Sequence, residues 1–305
     1  MTPTSLPRSP FAWFAVLAAL ALPGCMQNES KTTLLADGSG TTSETVTIDV
    51  AKTKQLIETV KMLGAMQGGS GAGGIPADLD VEKWLAATYG KEALETQLKE
   101  VPGVEVKSVT SDVKDGKRLA TRDFAFASFD VLGAAAFQTT TAELKKLDDG
   151  AFSLEMDALG ALRPVLAMIG GDAAGGGGFG GFDPQTLMAM VVEAVGDFRV
   201  KRTFTLPGAV VETNGTKAED GRTVTWSFSI EDIKTAGADP KNAPGKMTVK
   251  FKGDGVTLKP FKYAPTLEEL TKRMQLPAAK PTSPTTPGEP KPAETPKAPE
   301  PAPVK

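Results

Sequence analysis

The sequence predicts an α+β fold: a largely antiparallel twisted sheet with two or three helices packed on one face. Three observations predict it. Segments in which apolar and polar residues alternate with period two recur between residues 46 and 251, as in strands with one dry and one wet face. A few other segments carry apolar residues at helical spacing. The strands also come in runs and do not alternate strictly with helices, which separates α+β from α/β. With 305 residues, 40% hydrophobic and 23% charged, the chain can bury a sizeable core.

The elements follow in order. Val46, Ile48 and Val50 alternate with Thr and Asp and predict a strand. Leu56, Ile57, Val60 and Leu63 predict a helix, and Val81, Trp84, Leu85, Leu94 and Leu98 a second one, bent near Gly90. Residues 104–113 and 119–131 read as strands joined by the turn Lys114-Asp115-Gly116-Lys117. Phe152, Leu154 and Met156 mark another strand. Asp183-Pro184 supplies an N-cap and first-turn pair, and Gly196 a stop, for a helix bearing Leu187, Met188, Val191, Val192 and Val195. Phe198, Val200, Phe204 and Leu206 share a face with Arg202. Val224, Trp226, Phe228 and Ile230 alternate with polar neighbours, as do Met247, Val249 and Phe251. Lys252-Gly253-Asp254-Gly255 reads as a further hairpin turn.

The two ends of the chain are of another kind. A twelve-residue apolar run, Phe11 to Leu22, is too short to span a bilayer and suits a signal peptide. It ends in Leu22-Pro23-Gly24-Cys25, which resembles the lipobox of bacterial lipoproteins, and Cys25 is the only cysteine of the chain. The resemblance implies that Leu22 and Gly24 guide the signal peptidase, that residues 1–24 are removed, and that Cys25 becomes the acylated first residue. A Met rather than an Asp after Cys25 implies, by the enterobacterial sorting rule, the outer membrane of an organism that has one. Residues 25–42 are polar and rich in Gly, Ser and Thr, and read as a flexible tether to a domain at 43–268. Glycine runs at 68–74 and 170–181 read as loops within it. Residues 269–305 read as a Pro-rich tail, with ten prolines between 277 and 305.

Composition excludes much chemistry. Histidine is absent and the single Cys is taken by the lipobox, so no His-dependent acid–base site and no Cys/His metal site is expected. The net charge of −3 gives no reason to expect nucleic acid as a partner. The glycine runs contain G-x-G-x-x-G matches, but a dinucleotide site needs the pattern directly after a strand and opening a helix, whereas the first run follows a helical pattern and the second is near-homopolymeric; neither is followed by Lys-Ser/Thr as in a P-loop. Ser111 and Lys114 stand in an SxxK pattern at the end of a strand, where a Ser-Lys nucleophile needs a helix. Asp148-Asp149 beside Gly150 reads as a turn. The reading is therefore of a non-enzyme, with no cofactor, no metal and no catalytic residue.

Residues 204–228 read FTLPGAVVETNGTKAEDGRTVTWSF, with Pro207-Gly208, Val210-Val211, Asn214-Gly215 and Thr223-Val224-Thr225-Trp226 in succession. This predicts a β-meander with two turns, the second using positive φ at Asn214-Gly215, and with Trp226 as a core anchor. The stretch resembles the LppM-like domain of bacterial cell-envelope lipoproteins. The resemblance implies an α+β envelope domain with affinity for lipid or glycolipid, and supplies no catalytic residue. On this reading Leu187, Met188, Val191 and Val192 are candidates for a ligand groove. Arg199, Lys201, Lys250 and Lys252 are candidates for anionic headgroup contacts on a shared wet face. The competing reading is a structural lipoprotein that contacts envelope proteins or peptidoglycan through the domain or the tail.

Overall fold

The computed structural model describes residues 26–66, 79–135, 142–158, 198–232, 245–259 and 261. In chain order its elements are β1 (Met26–Leu34), β2 (Gly40–Asp49), α1 (Val50–Met66), α2 (Val81–Tyr89), α3 (Lys91–Lys99), β3 (Val104–Lys114) and β4 (Lys117–Phe126). A 3-10 turn (Phe129–Val131) then runs into the short helix α4 (Leu132–Ala135). After it come β5 (Ala142–Lys146), β6 (Phe152–Asp157), β7 (Arg199–Thr205), β8 (Val210–Thr213), β9 (Thr216–Lys217), β10 (Thr223–Ser229) and β11 (Lys246–Phe251).

The fold is α+β, but its strands form two sheets instead of one. The large sheet has the order β3-β4-β2-β1-β7-β10-β9, and the small one β5-β6-β11-β8. All neighbours are antiparallel except β1 and β7, which run parallel. Alternation decides the faces. On the large sheet Val46, Ala120, Phe124, Val200, Phe204, Val224 and Trp226 are buried. Its other face is a polar field in which Thr45 meets Thr121, and Thr203 meets Thr225, through their hydroxyls. The small sheet buries Phe152, Leu154, Met156, Met247, Val249 and Phe251. Phe152 and Phe251, directly opposite in register, stack at 5.7 Å.

The reading of residues 25–42 as a flexible tether is corrected. Met26–Leu34 is β1, an inner strand, and β2 begins at Gly40, so residues 26–42 belong to the domain, which does not begin at residue 43. The physical reason lies in the inward residues. Met26, Asn28, Ser30, Thr32 and Leu34 alternate as buried positions, but three of the five are polar. A rule that looks for apolar alternation passes over such a strand.

The segment after β7 is corrected too. β8 leaves the large sheet and joins β11 in the small one, and the chain returns through β9 to pair with β10. This is a crossing between layers, where a meander was expected. Asn214-Gly215 does not use positive φ. Gly215 is required by close approach, because a Cβ there would lie 2.7 Å from Nε1 of Trp226. Asn214 clamps the two layers. Its Oδ1 accepts from Trp226 Nε1 at 2.7 Å and from the Thr248 amide at 2.9 Å, and its Nδ2 donates to the Lys246 carbonyl at 2.8 Å. Trp226 is buried, with its ring edge-on to Phe204.

The strand read at 119–131 ends at Phe126, where Ser128 caps the 3-10 turn Phe129–Val131, but several other elements follow the sequence. Asp80 caps α2 by accepting from the Glu82 and Lys83 amides, and Gly90 separates α2 from α3 where the bend was expected. α3 buries Leu94 and Leu98 and lies against β3. Asp115 and Gly116 both have positive φ, 51° and 73°, as a two-residue hairpin between right-twisted strands demands. Lys252–Gly255 does turn, but the chain then binds the β1–β2 turn through Thr257 and Lys259. There Lys259 and the Ser39 hydroxyl hold the Asp37 carboxyl well below the usual carboxylate range. The signal peptide, both glycine runs, the helix around Leu187–Val195 and the tail at 269–305 lie outside the described residues.

Because β1 joins the β3-β4-β2 half of the large sheet to the β7-β10-β9 half, deletion of residues 26–34 should abolish cooperative unfolding by circular dichroism. A tether would be removed without effect, so an unchanged urea midpoint would refute this placement.

Candidate functional site

The three buried charged residues among the described residues lie on one row. From β3 to β10, Val109, Arg122, Glu44, Ser30, Arg202 and Trp226 are direct cross-strand neighbours in that order. All six occupy the covered face of the large sheet, since cross-strand partners share a face. Arg122 and Glu44 are 2% and 1% exposed, and Arg202 is also buried. Arg122 Nη2 donates to Glu44 Oε2 at 2.8 Å. Arg202 Nη1 donates to Glu44 Oε1 at 2.8 Å and to Asn28 Oδ1 at 3.0 Å. Each carboxylate oxygen of Glu44 thus accepts one guanidinium. Burial lowers the Arg122 pKa, opposed by the charge and hydrogen bond of Glu44. The nearby Tyr89 of α2 is buried, and its hydroxyl is pushed above its ordinary value chiefly by that burial.

A small cleft lies over this row. Ser30, Thr32, Thr42, Glu44, Arg202 and Phe204 line it from the large sheet, Met156 and Met247 from the small sheet, with Leu132 of α4 beside them. Its free space is about 20 Å³, enough for a water molecule and far too little for an acyl chain. Thr32 and Thr42 hydrogen-bond each other on its floor at 3.0 Å. Among the described residues no three metal-ligating carboxylate, thiol or imidazole groups come together. The cleft therefore offers buried charge and a thioether-lined side, committed to holding the two sheets in register.

The headgroup candidates are not brought together. Arg199 and Lys201 belong to β7 in the large sheet, whereas Lys250 belongs to β11 in the small one and Lys252 follows it. Lys201 pairs with Glu29 at 3.1 Å and Lys250 with Asp149 at 2.6 Å. The shared wet face is thus corrected: alternation places residues within a strand, but not two strands within one sheet. Ser111 and Lys114 fall on opposite faces of β3, three residues apart in a period-two strand, and Ser111 Oγ accepts from Arg118 at 3.1 Å. Asp149 sits in the Asp148–Gly150 turn as read, its carboxyl lowered by Lys250 and by the Ala151 amide. The groove candidates Leu187, Met188, Val191 and Val192, and the lipobox residues Leu22, Gly24 and Cys25, lie outside the described residues. Sequence reasoning missed Glu44, Asn28 and Arg122. The signal that could have led to them was Arg202, a charge standing on an otherwise apolar strand face.

Two outcomes follow. Glu44→Gln leaves two buried guanidinium groups without their shared carboxylate and should cost about 3–5 kcal/mol of stability in urea unfolding. Replacing the three together (Glu44→Leu, Arg122→Met, Arg202→Met) should restore most of that loss, and a triple variant no better than the single one would argue against a coupled network. Tyr89 titrates above its unfolded value, so its contribution is complete below about pH 10 and is lost as the pH rises beyond it. The chain has two tyrosines. In Tyr263→Phe, phenolate absorbance should therefore appear only together with alkaline unfolding, and titration near pH 10 in the folded protein would contradict the burial.

The LppM domain profile matches residues 86–241, slightly more than half of the chain. Among solved structures, the folded domain of Mycobacterium tuberculosis LppM, determined by NMR, is similar at 12% identity, covering 78% of this chain and 93% of that one with a TM-score of 0.36. No curated protein matches. The matched segment takes in α3, the β3–β4 hairpin, most of the covered ionic row and the Asn214–Trp226 clamp. The chain belongs to the LppM domain family.

Proposed function

We propose that this protein is a non-catalytic lipoprotein of the bacterial cell envelope, acylated on Cys25, whose domain binds lipid or another envelope amphiphile at the membrane surface. One observation carries the reading. The lipobox-like Leu22-Pro23-Gly24-Cys25 ends a single residue before β1, so the cleavage it implies would leave the folded domain intact from its first strand. Two or three acyl chains, at about 0.8 kcal/mol per buried CH₂, would hold it on a bilayer essentially permanently. No helix among the described residues is long and apolar enough to cross a membrane. In an organism with two membranes, Met26 after Cys25 favours the outer one.

A second reading has its own support. The cleft over the ionic row is water-sized and its polar lining is engaged in bonds within the domain, which suits a module that meets envelope proteins or peptidoglycan through its surface or its Pro-rich tail.

The anchor is tested by Cys25→Ala. The wild type should partition into the detergent phase of Triton X-114 and yield an N-terminal peptide carrying two or three acyl chains. The variant should lose both properties. Retention of acylation or of detergent partitioning by the variant would exclude Cys25 as the anchor. Native mass spectrometry of the protein after lipid extraction separates the two readings: a stoichiometric co-purified lipid supports amphiphile binding, and a bare protein mass supports surface contact.

A further inference from the structure

We infer that the tip of the β3–β4 hairpin, Val113–Leu119, is a membrane-contact element that rests in the phospholipid headgroup layer holding the acyl chains of Cys25. The inference rests on the acylation proposed above and adds the orientation of the domain on the bilayer. It starts from register. Met26 pairs with Ile48, Ile48 with Arg118, and Arg118 with Val113, so these four residues form one row across β1, β2, β4 and β3. At about 4.8 Å per strand, Arg118 lies roughly 10 Å and Val113 roughly 14 Å from Met26 along that row. Cys25 is bonded to Met26 and can lie only one peptide unit, about 3.8 Å, away. Lys114 and Lys117, opposite each other and continuing to Asp49, form the next row outward. With no tether, acyl chains on Cys25 bring this end of the sheet to the bilayer surface.

The chemistry of the tip fits that place. Val113 and Leu119 are 56% and 46% exposed and are two of the four large apolar side chains left exposed among the described residues. They stand on opposite faces of the hairpin. Leu119 shares the outer face with Lys117, and Val113 is paired with Arg118 on the face that is covered elsewhere. The hairpin tip thus shows an exposed apolar side chain on each face, while the Val50 amide at the start of α1 donates to the Gly116 carbonyl of its turn. Lys114 and Lys117 are directly opposite like charges, an arrangement that costs stability in water, and among the described residues neither makes an ion pair. Asp115 within the tip and Asp112 just before it leave residues 112–119 a net charge of only one, with Arg118 counted, so apolar insertion leads and the lysines reach for headgroup phosphates. At the opposite end of the sheet, Leu35, the residue just after β1, is 51% exposed as well, but lies nine residues from Met26, some ~30 Å away.

The acylated full-length protein tests this directly. Its one natural cysteine carries the lipid, so a cysteine introduced elsewhere is its only free thiol. Leu119→Cys, Val113→Cys and Leu35→Cys are each labelled with an environment-sensitive fluorophore. They are then reconstituted in phosphatidylcholine/phosphatidylglycerol vesicles containing a shallow spin-labelled lipid. Quenching should be at least threefold stronger at positions 119 and 113 than at 35. Lys114→Glu with Lys117→Glu should halve the quenching at Leu119→Cys when phosphatidylglycerol is present. Vesicle flotation with equal quenching at both ends of the sheet, or with none at the hairpin, overturns the docking and leaves the anchor standing. A protein that does not float and whose N-terminal peptide is unacylated overturns the anchor and the docking together. Quenching at the hairpin that is indifferent to the lysine reversals overturns the part assigned to Lys114 and Lys117.

Discussion

Two arginines and one glutamate, buried on a single row of the large sheet, set the terms on which the rest is built. A strand alternates its faces, so a slip of one residue in β2, β4 or β7 would turn Glu44, Arg122 or Arg202 outward and break a charge-assisted bond. Apolar contacts alone discriminate less sharply between registers, because one aliphatic side chain replaces another at modest cost. The network brings little net stability, since desolvating three charges consumes most of the Coulombic gain. Its bonds join β4, β2, β1 and β7, so a slip among these four strands leaves a buried charge without its partner.

The same network explains what was legible in the sequence. Strands whose inward residues are aliphatic or aromatic, such as β6, β10 and β11, could be read from alternation, and so could the two-residue turn at Asp115-Gly116. β1 could not. It lies where the sheet carries its ionic row, so its inward positions are Asn28, Ser30 and Thr32, which serve the arginine or line the cleft. A segment that looks like a solvated linker by composition is a central strand by the partners it finds. Those partners are far away in sequence: Asn28 meets Arg202 across 174 residues, and no local pattern encodes such a pairing.

The Asn214–Gly215 corner shows a second kind of illegibility. An Asn-Gly pair after a short strand is ordinarily a tight turn with positive φ. Here the pair is selected by what lies against it. The missing Cβ of Gly215 makes room for the indole of Trp226, and the Asn214 amide joins that indole to β11 of the other sheet. The motif was visible as a motif, but its use depends on β8 crossing between layers, which alternation within β8 does not reveal. For the same reason basic residues that alternate alike, Arg199 and Lys201 on β7 and Lys250 on β11, belong to separate sheets.

Parallel pairing of β1 with β7 also constrains when the domain can form. β1 can pair with β2 as soon as both exist, but its other edge stays open until residues 199–205 arrive. Closing so long a loop is an entropic cost that only the completed sheet repays, through the Arg202 bonds to Glu44 and Asn28 and the burial of Val200 and Phe204. Until then Glu44 lacks one of its two guanidinium partners, and the covered face of the first half-sheet is incomplete. The first residues of the domain are thus among the last to gain their full set of contacts. A lipid attached at Cys25 would be joined to a strand whose position is settled by the middle of the chain.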